Sequence, residues 1–409
     1  MDLTTPATAR VTPVIGGREA TWVQAAILLV TSGLTVLVTA ILGPSLPAMQ
    51  AHFRDVPGAD FLVPLTMSVP MLMMAGLSVF AGELADRFGR KRLLVGATAL
   101  YGVVGIAPML LDSLVAIIAS RCALGVLEAV LMTISTTMIG DYYDGSRRER
   151  LMSLQTTVAA TSAFLFNNLG GVIAEQGWRA PYSVFVVGLL LAPLMAAFLW
   201  EPGSRSTMTA QEMDQDREGF RPGILVVVCL LAVLLGIVFL TVPVHFGYLY
   251  GAIGVQSPSQ IGMAYGINSL GVISGTLLFG WVLAAKLKVG HQLACGTLLA
   301  GIGFLMMKQA TDYGMLTAAG FVNGCGAGIL LPTMVTWNMR ELPLSRRGVG
   351  TGAFQSCLFF GMFVSPILIV GLEKALAVPR SHAIGLEGFV VLGLAVFALV
   401  AGLMQRARH

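Results

Sequence analysis

Twelve stretches of apolar sequence govern what this chain can become. They run near Trp22–Leu42, Phe61–Ala81, Leu93–Leu111, Leu114–Ile139, Leu151–Ile173, Tyr182–Trp200, Gly223–Val244, Ile261–Ala285, Gln292–Met307, Met315–Trp337, Val349–Leu372 and Gly388–Met404, and all but the fourth lack any charged side chain. Most have the roughly 17–25 residues that a helix needs to cross about 30 Å of hydrocarbon, and the ninth is short for the task. Without water, backbone polar groups must pair within the chain, so runs of this length are expected as helices. Composition agrees: 56% of the 409 residues are hydrophobic and 11% charged, whereas soluble domains carry about 25% charged residues. The chain reads as an all-α polytopic membrane protein with twelve transmembrane helices. Its 48 glycines suit helices that approach closely in lipid.

The segments between the runs alternate in charge. One set carries clusters of Arg and Lys, such as Arg87, Arg90, Lys91 and Arg92, or Arg147, Arg148 and Arg150; the other holds only Arg54, Arg179, Lys308, Lys374 and Arg380. Basic loops stay in the cytoplasm, so both termini are expected there, in a multi-pass bacterial inner membrane. Residues 1–21 form a polar tail, and the run after it lacks a cleavage signal and is read as the first span. The organisation follows: a first half over 22–200, a polar linker over 201–222, a second half over 223–405 and a tail over 406–409. Cys122, Cys229, Cys295, Cys325 and Cys357 all fall inside spans, where they read as small buried apolar residues, not as a disulfide or metal site. The net charge of +4 implies no nucleic-acid partner. No phosphate loop, HExxH or CxxC motif occurs, so neither an enzyme nor a cofactor is expected.

Between the second and third runs lies Gly82-Glu83-Leu84-Ala85-Asp86-Arg87-Phe88-Gly89-Arg90-Lys91-Arg92. This segment resembles the G-x-L-a-D-R-x-G-R-K signature of the major facilitator superfamily, with Gly82, Leu84, Ala85, Asp86, Arg87, Gly89, Arg90 and Lys91 in place. Ser146-Arg147-Arg148 recurs as Ser345-Arg346-Arg347, 199 residues later, as two parallel six-helix halves would produce. The resemblance implies such halves around a central cavity, opening alternately to either side, with small-molecule cargo, protons and membrane lipids as partners and a monomer as the working unit. It also implies a gate. Asp86 would accept hydrogen bonds from the N-terminal end of the eleventh helix, with Arg90 tying it down, so Asp86→Asn should slow transport.

The fourth run holds Arg121 and Glu128, seven residues apart and so on nearly one helical face. Ions there cost several kcal/mol and face a water-filled path or a partner, so they read as a proton-coupling pair or a structural ion pair. Arg121 with Gly125 also resembles the family's fourth-helix R-x-x-x-G pattern, associated with proton handling. Hydroxyls at Thr31, Thr35 and Thr39 share one face that lines a cavity or packs between helices. Met67, Met71 and Met74 form a stripe that is either an adaptable binding surface or packing. Asn167 and Asn168 stand in Phe166–Gly171, which is similar to the end of the antiporter G-P-x-x-G-G motif except that Phe166-Asn167 replaces Gly-Pro. They would bind cargo or join helices. In the second half the best ionisable candidate is His245, as a titrating group or an aromatic-belt anchor. Asn268, Asn323 and Gln355 are neutral cavity candidates. The counterpart of the opening motif keeps Gly280, Lys286 and Lys288 but has Ala284 where the carboxylate should stand.

These features point to a secondary transporter of a small organic or amphiphilic molecule, with proton-coupled efflux as the leading expectation. Proton-coupled uptake is the alternative within transport. A non-transporting receptor or lipid-binding scaffold is the alternative outside it.

Overall fold

The computed structural model describes residues 20–202, 222–342 and 347–406; the tails, most of the linker and Ser345-Arg346 lie outside the described residues. Among them no strand occurs, and twelve helical spans are long and apolar enough to cross a membrane. The main helices are α1 Trp22–Ile41, α2 Ala59–Phe88, α3 Arg90–Ile106, α4 Leu114–Tyr142, α5 Gly145–Ala174, α6 Val186–Phe198, α7 Pro222–Ala252, α8 Pro258–Leu278, α9 Val289–Gln309, α10 Tyr313–Glu341, α11 Arg347–Leu376 and α12 Arg380–Arg406.

Local chemistry sets the boundaries. Thr21 opens α1 with a capping box closed by Gln24, and Ser257 and Asp312 cap α8 and α10. Gly43-Pro44 ends α1 in a short 3-10 turn, and the chain resumes as the helix Leu46–His52. The sixth run begins as a 3-10 segment, Ala180–Phe185, before α6. The ninth run is less marginal than its composition suggests, because α9 extends to 21 residues. The largest revision concerns the twelfth: α12 begins at Arg380, eight residues before the apolar run.

The helices pair in a pattern that repeats. In the first half α1 packs on α5, α2 on α4 and α3 on α6; in the second α7 packs on α11, α8 on α10 and α9 on α12. Adding six to each helix number turns one set into the other, as two parallel six-helix halves require. Glycines set the distances. A Cβ on Gly271 or Gly275 of α8 would stand 2.3 or 2.1 Å from the carbonyls of Phe321 or Cys325 on α10, and one on Gly125 of α4 would stand 2.5 Å from Pro70 O on α2. Only a residue without a side chain allows helix backbones that near. Between halves, α2 lies along α11 and α5 along α8.

Candidate functional site

The side on which α2 hands over to α3 is the loop side, and the opposite one the far side. At the handover Gly89 has φ +88°, a conformation that favours glycine. The Glu201 carboxylate accepts hydrogen bonds from the backbone N–H groups of Arg90 and, at 3.1 Å, Lys91, where an anion suits a helix N-terminus. The Arg90 guanidinium bonds the Asp141 carboxylate near the end of α4. Next to it Tyr142 stacks on Trp200, ring centroids 4.7 Å apart, and its hydroxyl bonds that residue's backbone N–H and carbonyl. The motif thereby fastens α2, α3, α4 and α6 into one corner. Arg87 is exposed over the Phe88 ring. Gly82 and Asp86 lie on the last turns of α2, and the Asp86 side chain is outside the described residues, so the expected gate contact is too.

On α4, Arg121 and Glu128 are both wholly buried. Arg121 donates to the carbonyls of Val104 and Gly105 at the end of α3, at 3.3 and 3.1 Å, and lies over the rings of Tyr182 and Phe185. These carbonyls carry the negative end of the helix, so the cation is compensated without a carboxylate. No salt bridge joins Arg121 to Glu128 among the described residues. Neither oxygen of Glu128 has a hydrogen-bond partner there.

The expected cargo residues are not gathered in one place. Asn167 donates to the Ser269 hydroxyl at 3.1 Å, joining α5 to α8 across the two halves. Asn168 donates back to Phe164 O of its own helix and abuts Gly266 of α8. Asn268 ties α8 to Gly320 O on α10, and Asn323 ties α10 to Ala300 O on α9. Asn167, Asn268 and Asn323 thus bond between helices, and Asn168 bonds within its own. Thr35 bonds Ser32 O, Met67, Met71 and Met74 are buried in the core, and Gln355 is half-buried on α11. His245 is fully buried within the protein, and neither ring nitrogen has a partner among the described residues. A cleft of about 610 Å³ lies between α7, α9, α10 and α12, lined by Leu231, Leu235, Trp337, Lys288 and Arg340 among others. None of the expected cargo residues lines it.

One buried carboxylate escaped the sequence reading. Glu387 on α12 bonds the Thr241 hydroxyl of α7 at 2.9 Å, and that hydroxyl is 3.0 Å from Ser365 of α11. Taking the twelfth span to start at Gly388 placed Glu387 one residue outside it. Arg380, seven residues earlier and on the same helical face, was the available signal that the helix starts sooner.

On the far side the two halves meet. Lys374 pairs with Asp60 at 2.8 Å, and Glu175 accepts from the Ser259 backbone N–H and from the hydroxyls of Ser257 and Ser259. Those bonds, the Ser259 N–H first, hold the Glu175 carboxyl below the usual glutamate range. Beneath them Gly171 of α5 and Gly262 of α8 are in backbone contact. The Tyr265 hydroxyl bridges Pro243 O and Gly247 N–H of α7, and Gly247 abuts Gly43 and Pro47 of the first half. The far side is closed.

A family model described as Major Facilitator Superfamily matches residues 28–366 and, again, 224–406. The chain belongs to the major facilitator superfamily. It is 26% identical over 396 residues to the 3-(3-hydroxy-phenyl)propionate transporter of Escherichia coli (strain K12), covering 91% of this chain and 94% of that protein. It is 31% identical over 175 residues to the cephamycin export protein CmcT of Amycolatopsis lactamdurans, a match spanning 42% of this chain and 35% of that one. A bacterial homologue of the human lysosomal transporter Spinster, in an inward-facing and occupied conformation, shares the fold at a TM-score of 0.71 and 13% identity, covering 92% of this chain and 94% of its own. As a member of this superfamily the protein is a multi-pass membrane transporter of small-molecule cargo and not an enzyme.

Proposed function

We propose that this superfamily member exports a small amphiphilic organic molecule across the bacterial inner membrane in exchange for protons, with the loop side in the cytoplasm. The observation that carries the coupling is Glu128. It is wholly buried in the middle of a transmembrane helix, with no donor for either carboxyl oxygen among the described residues. An ionised carboxylate has no hydrogen-bond donor there, whereas a proton removes the charge. A change of state that admits water would let that proton leave. Arg121, held by α3 carbonyls about 10 Å away along the helix, contributes a fixed positive field.

The fold supplies the second requirement, two halves that meet on the far side. Asp86 and Arg90 in the motif corner, with Gly82, Arg87, Gly89 and Lys91, act as the loop-side gate. Amphiphilic cargo fits a span interior with few ions and many Met and Phe residues, and the likeness to an export protein supports the outward direction.

Uptake of an organic acid with protons is the second reading, favoured by the near full-length likeness to the 3-(3-hydroxy-phenyl)propionate transporter. Flux in proteoliposomes under an imposed pH gradient decides. Cargo moving against the proton flow supports export, cargo moving with it supports uptake, and no flux with any ligand that stabilises the protein would indicate a non-transporting scaffold. Glu128→Gln should cut gradient-driven accumulation far more than cargo counterflow. Full accumulation in that variant would remove Glu128 from the coupling.

A further inference from the structure

We propose that Glu387 is a second proton-binding carboxyl, in the C-terminal half, and that its protonation sets the direction of a hydrogen-bond switch joining α12, α7 and α11. The inference rests on the reading of the protein as a proton-driven carrier, but the site is argued from geometry of its own.

Glu387 is more than nine-tenths buried. Because α12 begins at Arg380, the residue sits roughly 10 Å along the helix, within the apolar layer. Its oxygens lie 2.9 and 3.2 Å from Thr241 Oγ1. That hydroxyl is also 3.0 Å from its own helix carbonyl at Ile237 and 3.0 Å from the Ser365 hydroxyl. A threonine hydroxyl owns a single hydrogen, and here two acceptors, Ile237 O and Glu387, compete for it. When Glu387 carries a proton, the acid donates to Thr241 and the threonine hydrogen stays on Ile237 O. When Glu387 is ionised, it can only accept, so the threonine hydrogen must turn to the carboxylate and Ser365 donates to Thr241 in turn. Gain or loss of a proton on α12 therefore rearranges hydrogen bonds on α7 and α11.

The surroundings favour a titrating role over a fixed one. No cation pairs with Glu387 among the described residues, so nothing holds it permanently ionised. The titratable groups on the neighbouring elements, His245 apart, have other engagements or lie turns away. On α7 these are His245, one turn from Thr241, and Tyr248, under the Arg380 guanidinium at 4.3 Å. On α11, Glu373 pairs with Arg380 and Lys374 with Asp60. On α9, Lys308 packs its methylenes on Gly385 and its ammonium over Phe389. His245, with both ring nitrogens unpartnered, stands between Glu387 and the far surface along α7.

Infrared difference spectra of the purified protein in lipid nanodiscs, recorded across a pH titration, test the site without transport. Glu128→Gln should keep a titrating carboxyl band that the wild type also shows, that is absent from the Glu128→Gln/Glu387→Gln double variant and that is shifted in Thr241→Val. In proteoliposomes, Glu387→Gln should lower the number of protons moved per cargo. Glutamine keeps the shape and a hydrogen-bonding oxygen, so an unchanged melting temperature separates lost titration from lost folding. If Glu387→Gln fails to fold, Thr241→Val still reports the shift. A band of Glu128→Gln that survives in the Glu128→Gln/Glu387→Gln double variant, or is unmoved in Thr241→Val, overturns the proposal. If the wild type moves no cargo, the transport reading fails while the infrared titration still decides the site.

Discussion

Lys374, in the last turn of α11, holds its ammonium 2.8 Å from the Asp60 carboxylate in the first turn of α2, so an ion pair fastens one half of the protein to the other. Both side chains are about half exposed, and such pairs contribute about 1 kcal/mol or less. Lys374→Gln should therefore shift the balance toward far-side opening by no more than roughly fivefold, and less in high salt. Exchanging the two charges should restore it. Dipolar distance measurements between labels at the two helix ends check both outcomes.

Glu175 gives the same face a pH dependence. Its contacts with Ser259 and Ser257 hold the carboxyl below the usual glutamate range while the face is closed. Their contribution is therefore fully present above that range and is lost as pH falls through the lowered value. Far-side accessibility should rise on acidification below the ordinary carboxylate range. Glu175→Ala should be more open at neutral pH and lose the Glu175-linked part of the acid response.

Closure also depends on backbone contact between α5 and α8. A Cβ on Gly171 would stand 2.6 Å from Pro258 O and 2.8 Å from Gly262 Cα, both backbone atoms that cannot swing aside. Gly171→Val should penalise the closed face by about 1–3 kcal/mol. Cysteine labelling on the far side should become faster and turnover slower, with the variant still folded.

Arg121 is held by two carbonyls and two aromatic faces rather than by an acid. Arg121→Ala removes both bonds and leaves a buried void, and should cost about 2 kcal/mol or more. Arg121→Lys should recover little, because an ammonium cannot reproduce the flat, multi-donor geometry. Thermal unfolding in detergent measures both. Wild-type stability in Arg121→Ala would show that the cation serves coupling alone.

The Tyr265 hydroxyl bridges Pro243 O and Gly247 N–H, at the proline inside α7. Tyr265→Phe removes both bonds at nearly constant volume and should cost about 1–3 kcal/mol, read as a lower melting temperature.

Much of this architecture was legible because hydrocarbon penalises charge so strongly. The runs located the helices, and Gly82–Lys91 located the corner that Gly89, Arg90 and Glu201 then build. Reading stopped where one residue type serves two ends. Asn167 and Asn168 are equally apt for cargo or for joining helices, and only the facing Ser269 reveals that Asn167 joins them. Gly171 and Gly262 meet across 91 positions of chain, a pairing that no local pattern encodes. Glu387 was lost for a different reason: Arg380, Ser381, His382 and Glu387 make the first two turns of α12 polar, so apolarity alone set the boundary too late.

The glycine-lined seams described within each half have a dynamic corollary. Backbones locked at that spacing slide poorly, so each group of six helices is a stiff body. Two stiff bodies touching chiefly where α2 meets α11 and α5 meets α8 have one soft coordinate left, a rocking about those joints. Substitutions along either joint should alter how fast the carrier cycles, even where they lie far from whatever it carries.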